Sequence, residues 1–378
     1  RAQKALQQAP LSVVSDALVP PSGDRHDYMS VGPYWWPNPA TPNGLPYVRK
    51  DGEVNPERDR GDNATLGRMQ LAVRTLCLAY YLTGDERYAD HAARLLRTWF
   101  LDPETRMNAN LNYGQAIPGV CDGRGTGIID TVGLIDLVDR VGLVQTSPHW
   151  TKADQAGLVA WFGAYVVWLQ TSEHGRHEAA AKNNHGSWYD AQVAAFALFA
   201  GHPDLARRTL AAAGPLRIAR QIQADGRQPE ELQRTKSWSY SWFNLSALTT
   251  LAALGRHVDV DLWHYATPDG RSIRRALDYL APYVGGTTPW PHPQIQASKP
   301  SEPLRILLRA AYGYGDESSW GLVRRLPLAQ LSGEEELLLN PVPAESTATA
   351  GPAAAPELPL VILLGDSIRA GYQPVAVR

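Results

Sequence analysis

From Ala64 onward, apolar residues recur at spacings of three and four. Leu66, Met69, Val73, Leu76 and Tyr80 line one face of a helix. Thr83-Gly84-Asp85 stops that helix and supplies a new N-cap, and a second helix carries Tyr88, Ala92, Leu95, Leu96 and Trp99. The motif of helix, short turn and helix continues. Apolar helical stretches cover 128–143, 150–171, 187–201, 204–223, 239–255, 271–284 and 302–315, and strand-like alternation is scarce before residue 355. Many helix pairs in one chain predict an all-α fold, an (α/α)n toroid or incomplete barrel of about six to seven helical hairpins. A plain bundle or an α-solenoid is the alternative, and the lack of a fixed sequence period argues against the solenoid.

The two ends break this pattern. Residues 1–63 are poor in periodicity and rich in Pro, Gly and Asp, with Asp27-Tyr28-Met29-Ser30-Val31-Gly32-Pro33-Tyr34-Trp35-Trp36-Pro37 at their centre. Prolines at this density forbid a continuous helix, so an irregular N-terminal arm packed on the helices is expected. Residues 64–335 form the helical domain. Residues 336–359 are rich in Pro, Ala, Ser, Thr and Gly and read as a linker. Residues 360–378 begin with Leu360-Val361-Ile362-Leu363-Leu364, a buried type of strand, and read as the start of a further domain.

Composition excludes several functions. The 378 residues carry 36 Lys+Arg and 38 Asp+Glu, a net charge of −2, which excludes a polybasic nucleic-acid binder. No apolar run is long enough for a membrane-spanning helix. Two cysteines, Cys77 and Cys121, are no disulfide framework, and two thiols without a bridge are expected. No phosphate loop or dinucleotide fingerprint is present, and no cofactor is expected. The aromatic residues are skewed, with 12 Trp and 16 Tyr against 5 Phe. These rings either fill a core or line a wet groove, where a flat apolar face with a polar handle suits a sugar polymer.

Three polar clusters are candidates for chemistry. The first is Lys182-Asn183-Asn184-His185-Gly186-Ser187-Trp188-Tyr189, where Asn and Ser also read as ordinary helix caps. The second runs from Asp225 through Glu230, Glu231 and Arg234 to Tyr240, and also reads as a turn with solvated charges. The third is Asn108-Ala109-Asn110-Leu111-Asn112-Tyr113-Gly114-Gln115, continuing to Gly123-Arg124-Gly125. Glu173-His174-Gly175-Arg176-His177-Glu178 has two histidines at i and i+3, but it lacks zinc-helix spacing and reads as a helix end with solvated side chains, so no metal is expected.

A glycoside hydrolase normally needs paired carboxylates, and no spacing singles out a pair, although Asp225 is available. β-Elimination at a uronic acid needs a different set. The C5 proton becomes acidic once the adjacent carboxylate is neutralised by Asn and Arg donors. A base then removes it and an acid protonates the departing O4. His and Tyr can supply both roles, and a Tyr beside an Arg has an accessible phenolate. In mannuronate and glucuronate the proton and O4 share a face, so one Tyr can serve twice. In guluronate they lie on opposite faces, which calls for His on one side and Tyr on the other.

The arm 27–37, Asn110-Leu111-Asn112-Tyr113, Gly123-Arg124-Gly125, Asn183-Asn184-His185-Gly186-Ser187-Trp188 and Arg234-Thr235 with Tyr240 resemble, in the same order, the alginate lyase superfamily. The chain is most similar to polysaccharide lyase family 38, over residues 20–320. The resemblance implies an α/α toroid and a lyase that cleaves a 1,4-linked polyuronate, alginate or glucuronan, without a cofactor. It implies that Asn184 and Arg234 neutralise the carboxylate, that His185 is a base and that Tyr240 is the acid or acid/base. Asn110, Asn112, Tyr113, Gln115, Arg124, Trp35 and Trp188 are implied substrate contacts. The expected partner is an anionic polysaccharide, not nucleic acid or membrane, and the expected location is periplasmic or secreted. A hydrolase on the same fold, or a non-catalytic polyuronate-binding protein, remains the alternative.

The tail Leu363-Leu364-Gly365-Asp366-Ser367-Ile368 resembles the first block of SGNH (GDSL-type) hydrolases, whose nucleophile would be Ser367. The later blocks of that family are missing, so Ser367 is expected to be inert in this chain.

Overall fold

The computed structural model describes residues 1–15 and 18–343, which fall into two compact units, residues 1–211 and 212–343. The SGNH-like segment and residues 344–359 of the expected linker lie outside the described residues.

The first unit opens with the single turn α1 (Ala2–Ala5) and the short strands β1 (Met29–Val31), β2 (Trp35–Trp36) and β3 (Val48–Arg49). Helices α2 (Asp62–Thr83) and α3 (Glu86–Leu96) follow, then β4 (Tyr113–Ala116), α4 (Leu134–Val141), α5 (Lys152–Thr171), α6 (Glu173–Ala179), α7 (Asn184–Phe199) and α8 (Pro203–Ala213). The second unit holds the short α9 (Ala219–Gln221) and α10 (Pro229–Leu232), then α11 (Ser237–Gly255), α12 (Ile273–Leu280), α13 (Leu304–Tyr314), α14 (Glu317–Arg324) and α15 (Glu335–Leu339). The turn α15 falls at the start of the stretch that reads as a linker.

Local signals set the helix ends. Gly84 closes α2 at φ +68°, a left-handed conformation that glycine adopts without a Cβ penalty. One residue later the Asp85 side chain accepts from the Arg87 amide and starts α3. Thr151 and Asp154 form a reciprocal capping box at α5. Asn183 caps α7 by accepting from the His185 amide. The face Leu66, Met69, Val73 and Leu76 is buried, and α2 packs on α3 and α4. Each such aliphatic side chain contributes about 1.5–3 kcal/mol.

Two helices continue through wider π turns, at Arg97–Leu101 and Gly214–Ile218. The first keeps Trp99 and Phe100 in the core, and Arg97 there binds Asp154 at 2.7 Å. Phe100, Trp161, Phe162, Tyr165, Phe196 and Phe199 form one ring cluster, with neighbouring centroids 4.8–5.8 Å apart. Trp99, Trp150, Trp161, Trp188, Trp238, Trp242 and Trp263 are also buried. Much of the Trp excess therefore builds core rather than groove. Neither Cys77 nor Cys121 forms a disulfide.

The arm is part of the first unit's core. β1 pairs in parallel with β4, matching Met29 to Tyr113 and Val31 to Ala116. β2 pairs antiparallel with β3. Tyr28 and Ser30 are fully buried. Two short parallel strands thus fasten an irregular segment to the helices.

Candidate active site

In the first unit α6 and α7 bring Glu178 and His185 together. The Glu178 Oε1 lies 2.6 Å from His185 Nδ1. The glutamate side chain is 1 % exposed and the histidine 20 %. Stretch 173–178 is a short helix that keeps Glu173, Arg176 and His177 exposed, as expected, but buries Glu178. A buried carboxylate on Nδ1 fixes the ring and leaves Nε2 as the nitrogen that can exchange a proton. Asn184 precedes His185 in the first turn of α7 and is 1 % exposed.

A second network centres on Asp130, which lies in the 3-10 turn Gly125–Thr131. Its carboxylate accepts from Tyr28 at 3.0 Å, Ser30 at 2.6 Å and the Gln115 amide at 2.8 Å. Burial pushes the Asp130 carboxyl above its ordinary range, while these donors pull it back. Gln115 is itself buried, at φ +51°, a left-handed conformation unusual outside glycine. Its Oε1 accepts from Arg124 at 2.8 Å and its backbone carbonyl from Arg124 Nε at 3.0 Å. The half-buried guanidinium lies 5.9 Å from the Trp35 ring centroid. Burial lowers its pKa from the ordinary arginine value. Among the described residues Arg124 makes no ion pair. Its direct anchor is a neutral amide, with the Asp130 and Glu178 carboxyls acting on it only at longer range, an arrangement suited to an anion.

The glycines beside Arg124 are steric necessities. A Cβ on Gly123 would collide with the Asn112 carbonyl, and one on Gly125 would come within 2.6 Å of His177 Nδ1.

Other expected contacts also bond within the protein. Asn110 donates to Asp27 at 3.1 Å and accepts from the Asn112 amide at 3.1 Å. Asn112 accepts from Trp168 Nε1 at 3.0 Å, and its carbonyl lies 3.1 Å from His174 Nε2. These two asparagines, expected as substrate contacts, also tie the 108–112 loop to its neighbours, and Asn112 stays exposed. Trp188 faces the packed interior of α7, and its ring is covered rather than presented. Tyr113 and Trp35 are half-buried on the edges of the short strands.

In the second unit Arg234 lies between α10 and α11, and Tyr240 in the first turn of α11. The guanidinium carbon sits 3.7 Å from the Tyr240 ring centroid, a stacked cation–π contact. Both side chains are half-buried. Asp225, the carboxylate available to a hydrolase, forms an exposed ion pair with Arg227 at 2.6 Å, each about half exposed (51 %). Such a pair stays ionised and solvated, unlike a general acid held neutral by burial.

The sequence profile of the alginate lyase family matches residues 13–290. The chain belongs to the alginate lyase family. By that membership it is a polysaccharide lyase. An alginate lyase from Bacteroides ovatus of known crystal structure shares 42 % identity, covers 86 % of this chain and 87 % of its own, and superposes with a TM-score of 0.84. Alginate lyase A1-III, solved as a histidine-to-alanine variant with a tetrasaccharide, shares 16 % identity over 84 % of this chain and 83 % of its own, at a TM-score of 0.55. That similarity concerns the fold alone. The shared fold is the all-α toroid expected from the helix pattern. No curated protein matches the chain significantly.

The sequence reading missed Glu178 and Asp130 as site residues. Glu178 lay within the histidine-rich stretch weighed as a metal ligand set. Asp130 is an acid in the apolar run Ile128-Ile129-Asp130-Thr131-Val132, a position that only a buried network explains.

Proposed function

We propose that this lyase depolymerises a 1,4-linked polyuronate, alginate or glucuronan, by β-elimination, and leaves 4,5-unsaturated uronate ends. The observation that carries the reading is the 2.6 Å contact between buried Glu178 and His185 in a chain of the alginate lyase family. Its relative from Bacteroides ovatus is an alginate lyase, which favours alginate as the substrate.

The proposed roles follow the chemistry. Asn184 and Arg234 donate to the uronate carboxylate, so negative charge that develops on it as C5 loses its proton is stabilised. His185, or Tyr240 as phenolate, takes the C5 proton. The electron pair left on C5 forms the C4=C5 double bond and expels O4, which takes a proton from Tyr240. No water is consumed. A reducing end and an unsaturated end result. Polymer of this size does not cross a lipid bilayer, so a periplasmic or secreted location fits the substrate.

The test is ultraviolet absorbance of the conjugated C4=C5 bond, with polymannuronate, polyguluronate, glucuronan and hyaluronan assayed side by side. Cleavage of mannuronan or glucuronan with growing absorbance is expected. Reducing sugar released without absorbance would mean hydrolysis and would sink the proposal.

A further inference from the structure

The second unit contains a cavity of about 390 Å³ with no part in the chemistry above, lined by Trp238, Tyr283, Thr288, Trp290, Gln294 and Lys299 among others. Its volume falls within the range of small-molecule sites, about 300–1,000 Å³. Three rings build one wall. Trp290 meets Trp238 edge-on at 5.1 Å and Tyr283 at 5.0 Å, with its plane at 69° and 90° to theirs.

This wall is bolted to the helix that carries Tyr240. Trp290 Nε1 donates to Ser237 Oγ at 2.8 Å. The Trp238 amide donates to Gln294 Oε1 at 3.1 Å, and Gln294 Nε2 donates to Ser239 Oγ at 3.2 Å. The Ser237 amide donates to the Pro293 carbonyl at 3.0 Å. Four prolines, Pro289, Pro300, Pro303 and Pro327, are among the lining residues. Their fixed φ restricts the backbone at these four positions, which lowers the entropy cost of ordering them on binding.

The electrostatics favour an anion. Lys299 is exposed on the rim, and among the described residues its ammonium bonds to no carboxylate. Glu302 follows it in the same turn; burial raises its carboxyl above the ordinary value, while Ser239, Lys299 and Lys236 pull it back down. Rings present apolar faces, Thr288 offers a polar contact, and Lys299 adds one positive charge. A pyranose ring has an apolar C–H face and a polar rim, and a uronate adds one carboxylate.

We infer that this cavity is a uronate subsite that holds one sugar of the polymer away from the residue being cleaved, with the ring against Trp290 and the carboxylate toward Lys299. The inference rests on the proposed polyuronate substrate. Its occupant is one uronosyl residue of that chain. That sugar is not the one being cleaved, so the contribution of the cavity grows with substrate length.

The test compares oligomannuronates of three and six sugars with the native chain, Lys299→Glu and Trp290→Ala. Lys299 is on the surface, so its variant keeps the fold even if loss of Trp290 does not. Lys299→Glu is expected to raise KM for the hexasaccharide about tenfold more than for the trisaccharide. Calorimetry supplies a readout independent of turnover, with hexamannuronate and a neutral mannohexaose on a Tyr240→Phe background. Weaker hexamannuronate binding after Lys299→Glu, with little neutral-sugar binding, supports the subsite. Equal effects on both lengths, unchanged binding, or equal binding of the neutral sugar overturns it. If the native chain cleaves no polyuronate, the lyase proposal falls, and calorimetry still decides the cavity.

Discussion

The Glu178 carboxylate lies 2.6 Å from His185 Nδ1, on neighbouring helices that meet at residues 180–183. The glutamate is buried and the histidine is partly open to solvent. The pair therefore has an inner end that anchors and an outer end that can exchange protons. Replacing Glu178 by Gln keeps size and burial but removes the charge, and lets the ring adopt the other tautomer. We expect kcat to fall about 10- to 100-fold with KM nearly constant. Steady-state kinetics across a pH series would check this, and an unchanged kcat and pH profile would exclude the positioning role.

Removal of the proposed proton-transfer groups should cost more. Tyr240→Phe and His185→Ala are each expected to lower turnover by at least about 100-fold, the range of general acid/base groups. The Tyr240→Phe change preserves the ring on which Arg234 stacks. Circular dichroism should therefore show an intact fold. Near-normal turnover in that variant would refute the assignment of Tyr240.

Arg124 should report on substrate charge. Gln115 holds it through two hydrogen bonds, and Trp35 lies beside it. Arg124→Gln is expected to raise KM about tenfold while kcat falls less, as for a lost charge-assisted contact made in both ground and transition states. A drop in kcat alone would contradict a binding role.

Asp130 makes a stability prediction. Asp130→Ala strands the donors of Tyr28, Ser30 and Gln115 in the interior. A loss of at least about 3 kcal/mol in urea unfolding is expected. Asp130→Asn, which retains acceptor capacity on one oxygen, should lose less. Equal stability of all three proteins would mean that the network is incidental.

Asp154 predicts a pH dependence. Its pair with Arg97, 2.7 Å apart, holds its carboxyl at about 2 rather than 3.8. A depressed folded-state value means that the unfolded chain binds a proton first as pH falls. The stabilisation is therefore complete above 3.8 and is lost as pH drops from there through about 2. Allowing for solvent screening of Arg97, the pair contributes about 1–2 kcal/mol. Urea midpoints of the native chain and Asp154→Asn should converge across that window, and parallel curves would disprove the linkage.

Much of the architecture was legible locally. The stop at Gly84, the cap at Asp85 and the cap at Asn183 are set by residues adjacent in sequence, and they stand where the pattern predicts. The all-α class followed from helical spacing alone. The π turns at Arg97–Leu101 and Gly214–Ile218 were not legible, because only packing on the core decides whether a helix widens there. Nor was the depth of α7 and α11. Both are buried on nearly every side, so no single apolar face marks what they pack against.

The same division runs through the site. Sequence alone determined which residue types were available, the Asn-His pair, the Arg and Tyr six positions apart, and the Gly-Arg-Gly turn. Tertiary structure decided how they are used. It turned Glu178 onto His185, set the Asp130 carboxylate to accept from Gln115, and tied Asn110 and Asn112 to protein partners. The physical reason is range. Caps and turns are fixed by bonds within a few residues, whereas Tyr28 reaches Asp130 across 102 positions of chain. No local pattern encodes such a contact; the burial of the whole unit does.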